Sequence, residues 1–300
     1  MNDLLKLMDL NREDITKILD LADAMKKDPG AYRETLKDKT LCMIFEKSST
    51  RTRVSFEVGI TQLGGHAVVL SGSESQMGRG EPVADTARVL SRYCDGIMIR
   101  TFSQAMVEEL ARWASIPVIN GLTDFEHPCQ VLADLMTVRE KYGKLEGLTL
   151  CFIGDGFNMA HSLIAGGALT GMKVQVACPD AYPPDESIIQ FASAVNCQLS
   201  VVNCPKTAVA GAHVVVTDTW VSMGQEGAEA EARRAAFRGY CVDDALMSLA
   251  APGAMVLHCL PAYRGEEITA EVFEAHAREI FDEAENRLHA QKAVMALLMK

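Results

Sequence analysis

Apolar positions along the chain recur with two periods, one helical and one extended. Asn11 opens a stretch in which Asp14 follows three residues later and Ile15, Ile18, Leu19 and Ala22 fall at helical spacing, which predicts a capped amphipathic helix. Lys39–Phe45 reads as a short buried strand and Glu46–Thr50 as a polar loop. A helix follows, with Phe56, Ile60 and Leu63 on one stripe. Ala67–Leu70 is predicted as a strand, Pro82–Tyr93 as a helix, Gly96–Ile99 as a strand, Val107–Trp113 as a helix and Pro117–Ile119 as a short strand. His127 opens a long helix that reaches about Tyr142.

The Gly/Lys-rich turn at 143–147 resets the pattern. Leu148–Ile153 is an apolar strand ending in Gly154-Asp155-Gly156. A helix, the strand Val174–Cys178, another helix and the strands Val214–Thr217 and Ala254–His258 follow, and Glu285–Lys300 is helical. Strands that alternate with helices predict an α/β protein whose parallel sheets are flanked by helices on both faces. The turn divides the chain into two domains, 1–141 and 142–286, with the last helix, 287–300, packing back on the first.

Composition narrows the partners. A length of 300 residues with 48% hydrophobic positions supports a sizeable core, and the net charge of −11 argues against nucleic acid, whose phosphates need a basic surface. The nine cysteines are odd in number and form no C-x-x-C pair, so neither a disulfide framework nor structural zinc is expected. Met1–Lys6 lacks both a signal h-region and an Arg-rich transit pattern, and no apolar run approaches the ~20 residues of a membrane span. A cytoplasmic protein is expected.

Five constellations carry chemistry. Ser48-Ser49-Thr50-Arg51-Thr52-Arg53 stands between a strand and a helix. The hydroxyls, guanidiniums and first-turn N–H groups there suit a phosphate, although a capped helix with a solvated basic turn has the same pattern. His127-Pro128-Cys129-Gln130 places an imidazole and an amide on one face of a helix start, suited to a carbonyl and an NH2 group or to mere capping. Gly154-Asp155-Gly156-Phe157-Asn158 resembles part of a dinucleotide-binding turn, with Asp180 near the place of a ribose-binding acid, but Met159 holds the third glycine position. Asp218-Thr219-Trp220-Val221-Ser222-Met223-Gly224 follows a strand and can hold an ammonium group or simply cap a loop. His258-Cys259-Leu260-Pro261 ends another strand with a thiol that is either reactive or inert.

Together these motifs resemble the aspartate/ornithine carbamoyltransferase family over essentially the whole chain. Ser-Thr-Arg-Thr-Arg with His-Pro-x-Gln is specific to the superfamily. Asp-x-x-x-Ser-Met-Gly with His-Cys-Leu-Pro, Gln76–Pro82, Asp85–Arg92 and Glu285–His289 point to the ornithine branch. The resemblance implies a carbamoyl-phosphate-binding first domain, an ornithine-binding second domain and an active site in the cleft between them. It implies transfer of the carbamoyl group of carbamoyl phosphate to the side-chain amine of L-ornithine, giving L-citrulline and phosphate in arginine biosynthesis.

By the same resemblance, Ser49, Thr50, Arg51 and Thr52 hold the phosphate. Arg100 and His127 polarise the carbamoyl oxygen, and Gln130 with the backbone of Cys259 and Leu260 holds the NH2. Gln76 reaches in from a neighbouring subunit of a homotrimer, and Arg287 completes the anion site. Asn158 and the backbone of Met223 take the α-carboxylate of ornithine, Asp218 and Ser222 take its α-ammonium, and Cys259 lies beside the reacting amine. Phe157 stands where related sequences often carry the first of two asparagines, so the ligand role falls on Asn158. The resemblance also implies a cis Leu260–Pro261 bond. Gly224 and Gly227 suggest a mobile lid from Val221 to about Gly227.

No metal or organic cofactor is expected, because phosphate is already a good leaving group. Three other readings compete. The first is a carbamoyltransferase for another amine such as putrescine or an acylated ornithine. The second is an NAD-dependent dehydrogenase built on Gly154-x-Gly156 and Asp180, and the third is a non-catalytic anion-binding protein.

Overall fold

Helix α1 (Arg12–Lys27) begins where its cap predicts. Asn11 accepts from Asp14 N and the Asp14 carboxylate accepts from Asn11 N, so two N–H groups at the helix start are satisfied reciprocally. Ile15, Ile18, Leu19, Ala22 and Met25 form its buried face. In the computed structural model, which describes residues 1–72, 80–222 and 227–300, the chain then alternates strand and helix. The elements are β1 (Thr40–Phe45), α2 (Thr50–Gln62), β2 (His66–Ser71), α3 (Val83–Tyr93), β3 (Gly96–Arg100), α4 (Gln104–Trp113), β4 (Val118–Leu122) and α5 (Pro128–Tyr142). The second half adds β5 (Thr149–Ile153), α6 (Asn158–Thr170), β6 (Lys173–Ala177), α7 (Glu186–Ala194), β7 (Leu199–Val202), α8 (Pro205–Val209) and β8 (Val214–Thr217). It ends with α9 (Ala228–Ala236), α10 (Asp244–Met247), β9 (Met255–His258), α11 (Ala270–Ala275) and α12 (Ala277–Leu298).

These elements form two units, Met1–Met136 with Asn286–Lys300, and Thr137–Glu285. The first holds a parallel sheet in the order β2-β1-β3-β4 and the second a parallel sheet in the order β7-β6-β5-β8-β9. Central strands are apolar throughout: Leu41–Ile44, Gly96–Ile99, Leu150–Ile153 and Val214–Val216 are all buried, as a sheet covered on both faces requires. The turn at 143–147 marks the end of α5, whereas the units divide after Met136. The last turn of α5 is held within the second unit, where Tyr142 donates its hydroxyl to His213 O at 2.8 Å.

Several elements lie outside the pattern read from the chain. β7 is a short edge strand with a half-exposed face, too weakly patterned to stand out. The last helix begins at Ala277 rather than Glu285, and its buried face already starts at Ile280 and Glu283. All nine cysteines are free thiols. Among the described residues, no helix is long and apolar enough to cross a membrane.

Candidate active site

In the first unit the candidate residues follow the carboxyl ends of β1, β3 and β4, where ligands of open α/β sheets bind. Ser49 caps α2, its hydroxyl accepting from Thr52 N at 3.2 Å, which places Thr50, Arg51 and Thr52 in the positive first turn of the helix. Arg100 closes β3. The register slips there, with Ile99 opposite Asn120 and Arg100 opposite Leu122. A Cβ on the skipped Gly121 would lie 2.6 Å from Met98 Sδ, so a larger residue there would push the Met98 side chain aside. Arg100 Nη1 donates to Thr52 Oγ1 at 3.2 Å. Arg287, on α12, donates to the same oxygen at 3.2 Å and to Gln130 Oε1 at 2.6 Å, while Gln130 donates to Asp134 Oδ1 at 2.8 Å.

His127 sits among these cations and is buried. Its pKa is held well below the ordinary 6.5, first by burial and then by Arg287, Arg100, Arg51 and Lys47. The ring is therefore neutral at neutral pH, a hydrogen-bond donor to a carbonyl oxygen rather than a proton source. Lys47, not singled out in the sequence, is buried beside the Ser48–Arg53 turn. Its ammonium lies 2.5 Å from Asp124 Oδ1 and 4.0 Å from the centre of the Phe102 ring.

In the second unit the adjacent strands β5, β8 and β9 deliver Asn158, Asp218 with Ser222, and Cys259 with Leu260. Asn158 is the buried first residue of α6. Cys259 Sγ lies 3.0 Å from Asp218 Oδ1, and the same oxygen accepts from Thr219 N at 2.7 Å. His258 shapes the turn that follows: its Nδ1 accepts from Leu260 N at 2.9 Å, and its Nε2 lies 3.0 Å from Glu267 Oε1. With Nδ1 accepting, Nε2 carries the proton and donates to the buried carboxylate. Leu260 takes a left-handed φ of 60°, a conformation such a side chain adopts only under constraint, and the Leu260–Pro261 bond is cis, as the resemblance implies. Asp218, His258 and Cys259 bring donor atoms within 4.8 Å of one another, a spacing that suits a metal. Both His258 nitrogens are already committed to Leu260 and Glu267, so the ring is not offered to one. Gln76, Met223 and most of the expected lid from Val221 to Gly227 lie outside the described residues.

The Gly154-Asp155-Gly156 turn is used internally. A Cβ on Gly156 would fall 2.3 Å from Pro183 C and Pro184 N, so the chain's own Tyr182–Pro184 backbone occupies the close approach that a dinucleotide would need. Asp180 is likewise engaged, accepting from Asn203 Nδ2 at 3.1 Å. Asp155 is paired with Arg233 on α9. Burial pushes the Asp155 carboxyl up to about 6, with Arg233 pulling it down and Asp218 pushing it up. Arg233 also donates to Trp220 O at 3.0 Å and lies 4.5 Å from the centre of the Tyr182 ring. It ties the loop after β8 to the loop after β5. Nothing in the Ala/Glu-rich stretch around Arg233 marks it, because its partner is 78 residues away.

Known proteins bear on this arrangement. Residues 2–140 match the family model for the carbamoyl-P binding domain of aspartate/ornithine carbamoyltransferase, and residues 146–298 match its Asp/Orn binding domain. The chain is 55% identical to an ornithine carbamoyltransferase of Pelobacter propionicus over 98% of this chain and 97% of that one. It is 56% identical to one of Symbiobacterium thermophilum over 99% and 97%. Among solved structures, the ornithine carbamoyltransferase of Pyrococcus furiosus aligns with a TM-score of 0.94 at 49% identity, covering 99% of this chain and 97% of that chain. The anabolic enzyme of Campylobacter jejuni aligns at 0.94 and 42%, covering 99% of each. With both halves matched in order and along nearly their full length, this chain belongs to the aspartate/ornithine carbamoyltransferase family.

Proposed function

We propose that this chain transfers the carbamoyl group of carbamoyl phosphate to the side-chain amine of L-ornithine, forming L-citrulline and phosphate, as a step of arginine biosynthesis. The observation that carries the reading is the convergence of Arg100 and Arg287 on the Thr52 hydroxyl, beside a His127 kept neutral. Ser49, Thr50, Arg51 and Thr52 bind the phosphate, and Arg287 completes that anion site. Arg100 and His127 donate to the carbamoyl oxygen. Gln130, with the carbonyls of Cys259 and Leu260, orients the carbamoyl NH2. In the second unit Asn158 and the Met223 backbone receive the α-carboxylate of ornithine, and Asp218 and Ser222 receive its α-ammonium.

The neutral amine attacks the carbamoyl carbon. A C–N bond forms, negative charge collects on the carbamoyl oxygen, and the C–O bond to phosphate then breaks as the C=O re-forms, the departing phosphate taking up the extra proton that the new C–N nitrogen sheds. Donors aimed at the oxygen that gains charge lower this barrier, and holding both reactants in place supplies much of the rest. The amine must reach the site without its proton, and Cys259 is the group beside it. The protein is cytoplasmic and works as a homotrimer in which Gln76 completes the site of a neighbour. Exposed Val54 and Val58 on α2 and Val68 on the edge strand β2 supply apolar surface for such contacts.

The test is phosphate release from carbamoyl phosphate across L-ornithine, putrescine, N-acetylornithine and L-aspartate. Turnover confined to L-ornithine, with citrulline as product, supports the reading; preference for another amine or no transfer refutes it.

A further inference from the structure

The chain before α1 is tied to the loop that carries His127. Leu4 N donates to Val118 O at 2.9 Å and Asn120 N donates to Leu4 O at 2.8 Å, so the N-terminal segment runs as a parallel extension beside β4. Asp3 accepts from Val118 N and Leu5 O accepts from Asn120 Nδ2, each at 2.8 Å. The segment ends on a charged contact: Leu7 N donates to Glu126 Oε2 at 2.7 Å, with both residues fully buried. Glu126 is the residue before His127. Its own backbone is held by Thr123, whose Oγ1 accepts from Glu126 N at 3.1 Å and whose N–H donates to Glu126 O at 2.9 Å. Thr123 Oγ1 in turn donates to Gln104 at 2.8 Å.

A buried carboxylate is costly to place unless it is hydrogen-bonded, and bonds from N–H groups to a carboxylate are about twice as strong as neutral ones. We infer that Glu126 is a positioning residue for His127, and that the segment Asp3–Leu7 sets the height of the imidazole over the carbamoyl site through the Leu7 N–Glu126 bond. This rests on the carbamoyl-transfer reading. Glu126 touches no substrate; it acts by fixing the backbone from which His127 projects. A misplacement of about 1 Å in a catalytic group can cost on the order of 100-fold in rate.

The experiment compares Glu126→Ala, Glu126→Asp and Glu126→Gln with Leu4→Ala, which removes a buried side chain from the same segment and leaves the Leu7 N–Glu126 bond. Melting temperature and steady-state kinetics in both substrates are measured for each. Glu126→Ala is expected to lower kcat roughly 100-fold and raise KM for carbamoyl phosphate, with KM for ornithine within about twofold of wild type. Glu126→Asp, too short to reach Leu7 N, is expected to fall about tenfold in kcat, and Glu126→Gln, which still accepts that bond, to recover most of the rate. Leu4→Ala is expected to melt earlier and turn over normally. If Glu126→Ala does not fold, the aspartate and glutamine variants decide. A Glu126→Asp variant with wild-type kinetics, a Glu126→Gln variant no faster than Glu126→Asp, or a Leu4→Ala variant with the same kinetic loss, overturns the inference. A wild-type chain that carbamoylates no amine overturns the reading beneath it, and this inference with it.

Discussion

His127 is neutral because it is buried among cations, and that state has consequences for stability as well as for chemistry. Above pH 6.5 a histidine in the unfolded chain is neutral too, so His127 adds no pH dependence. Below it the unfolded chain binds a proton that the folded ring refuses, and stability falls as pH drops. His127→Gln should therefore lose less stability than wild type between about pH 6.5 and 5.5, a difference of up to about 1.4 kcal/mol per pH unit in urea melts. Parallel curves would mean that the ring titrates normally. The same variant should lose about 100-fold in kcat, the scale of removing one oxyanion donor. Cys259 makes a different prediction. Its thiol lies 3.0 Å from Asp218 Oδ1, and in the proposed reaction it stands beside ornithine's side-chain amine, which has an ordinary pKa of about 10.4 and must shed a proton before it attacks. Cys259→Ser should lower kcat and weaken ornithine binding while carbamoyl phosphate binding survives, and the wild-type rate should climb between about pH 6 and 8. Unchanged kinetics in the serine variant would reduce Cys259 to a space-filling role.

At the scale of elements, the carboxyl ends of parallel strands do the assembling. β5, β8 and β9 lie side by side, so the loops that follow them converge although they are far apart in sequence. Arg233 reinforces that convergence from α9 by pairing with Asp155 and bonding to Trp220 O. Removing one partner of a buried ion pair leaves the other charge uncompensated. Arg233→Gln is therefore expected to cost about 3–5 kcal/mol by denaturant unfolding. Arg233→Lys keeps the charge and should cost less, but it loses the planar guanidinium that faces Tyr182. Both variants should raise KM for ornithine and leave KM for carbamoyl phosphate near wild type. An equal rise in both constants would show that the pair does not act on the amino-acid side in particular.

For the whole molecule, the proposed homotrimer makes a prediction no isolated chain can satisfy. Gln76→Ala and Arg51→Ala subunits should each be inactive alone, since each lacks one side of a shared site. When the two are unfolded together and reassembled, some sites receive Gln76 from one parent and Arg51 from the other. Activity should reappear in the mixture. No recovery in hybrids shown by mass to contain both subunits would remove the shared-site idea.

What the chain determined on its own was local and periodic. Asn11 announced a capping box, apolar runs announced buried strands, and strand–helix alternation announced parallel sheets, because each of these depends on residues within a few positions of one another. The short motifs likewise singled out Ser49–Thr52, His127, Gln130, Asp218 and Cys259 as candidates, since each follows a strand end that its own pattern reveals, and the family resemblance added Arg100. Tertiary structure decided what depends on distant partners. Gly154-x-Gly156 fits a dinucleotide turn until the backbone of Tyr182–Pro184 fills the space beside Gly156. Asp155 has an assigned partner only once Arg233 folds against it, and no local pattern marks Glu126, whose partner Leu7 lies 119 residues away. The neutral state of His127 is likewise a property of the fold, because burial enforces it first and the cations that add to it come from positions 47, 51, 100 and 287, which only packing brings around one buried ring.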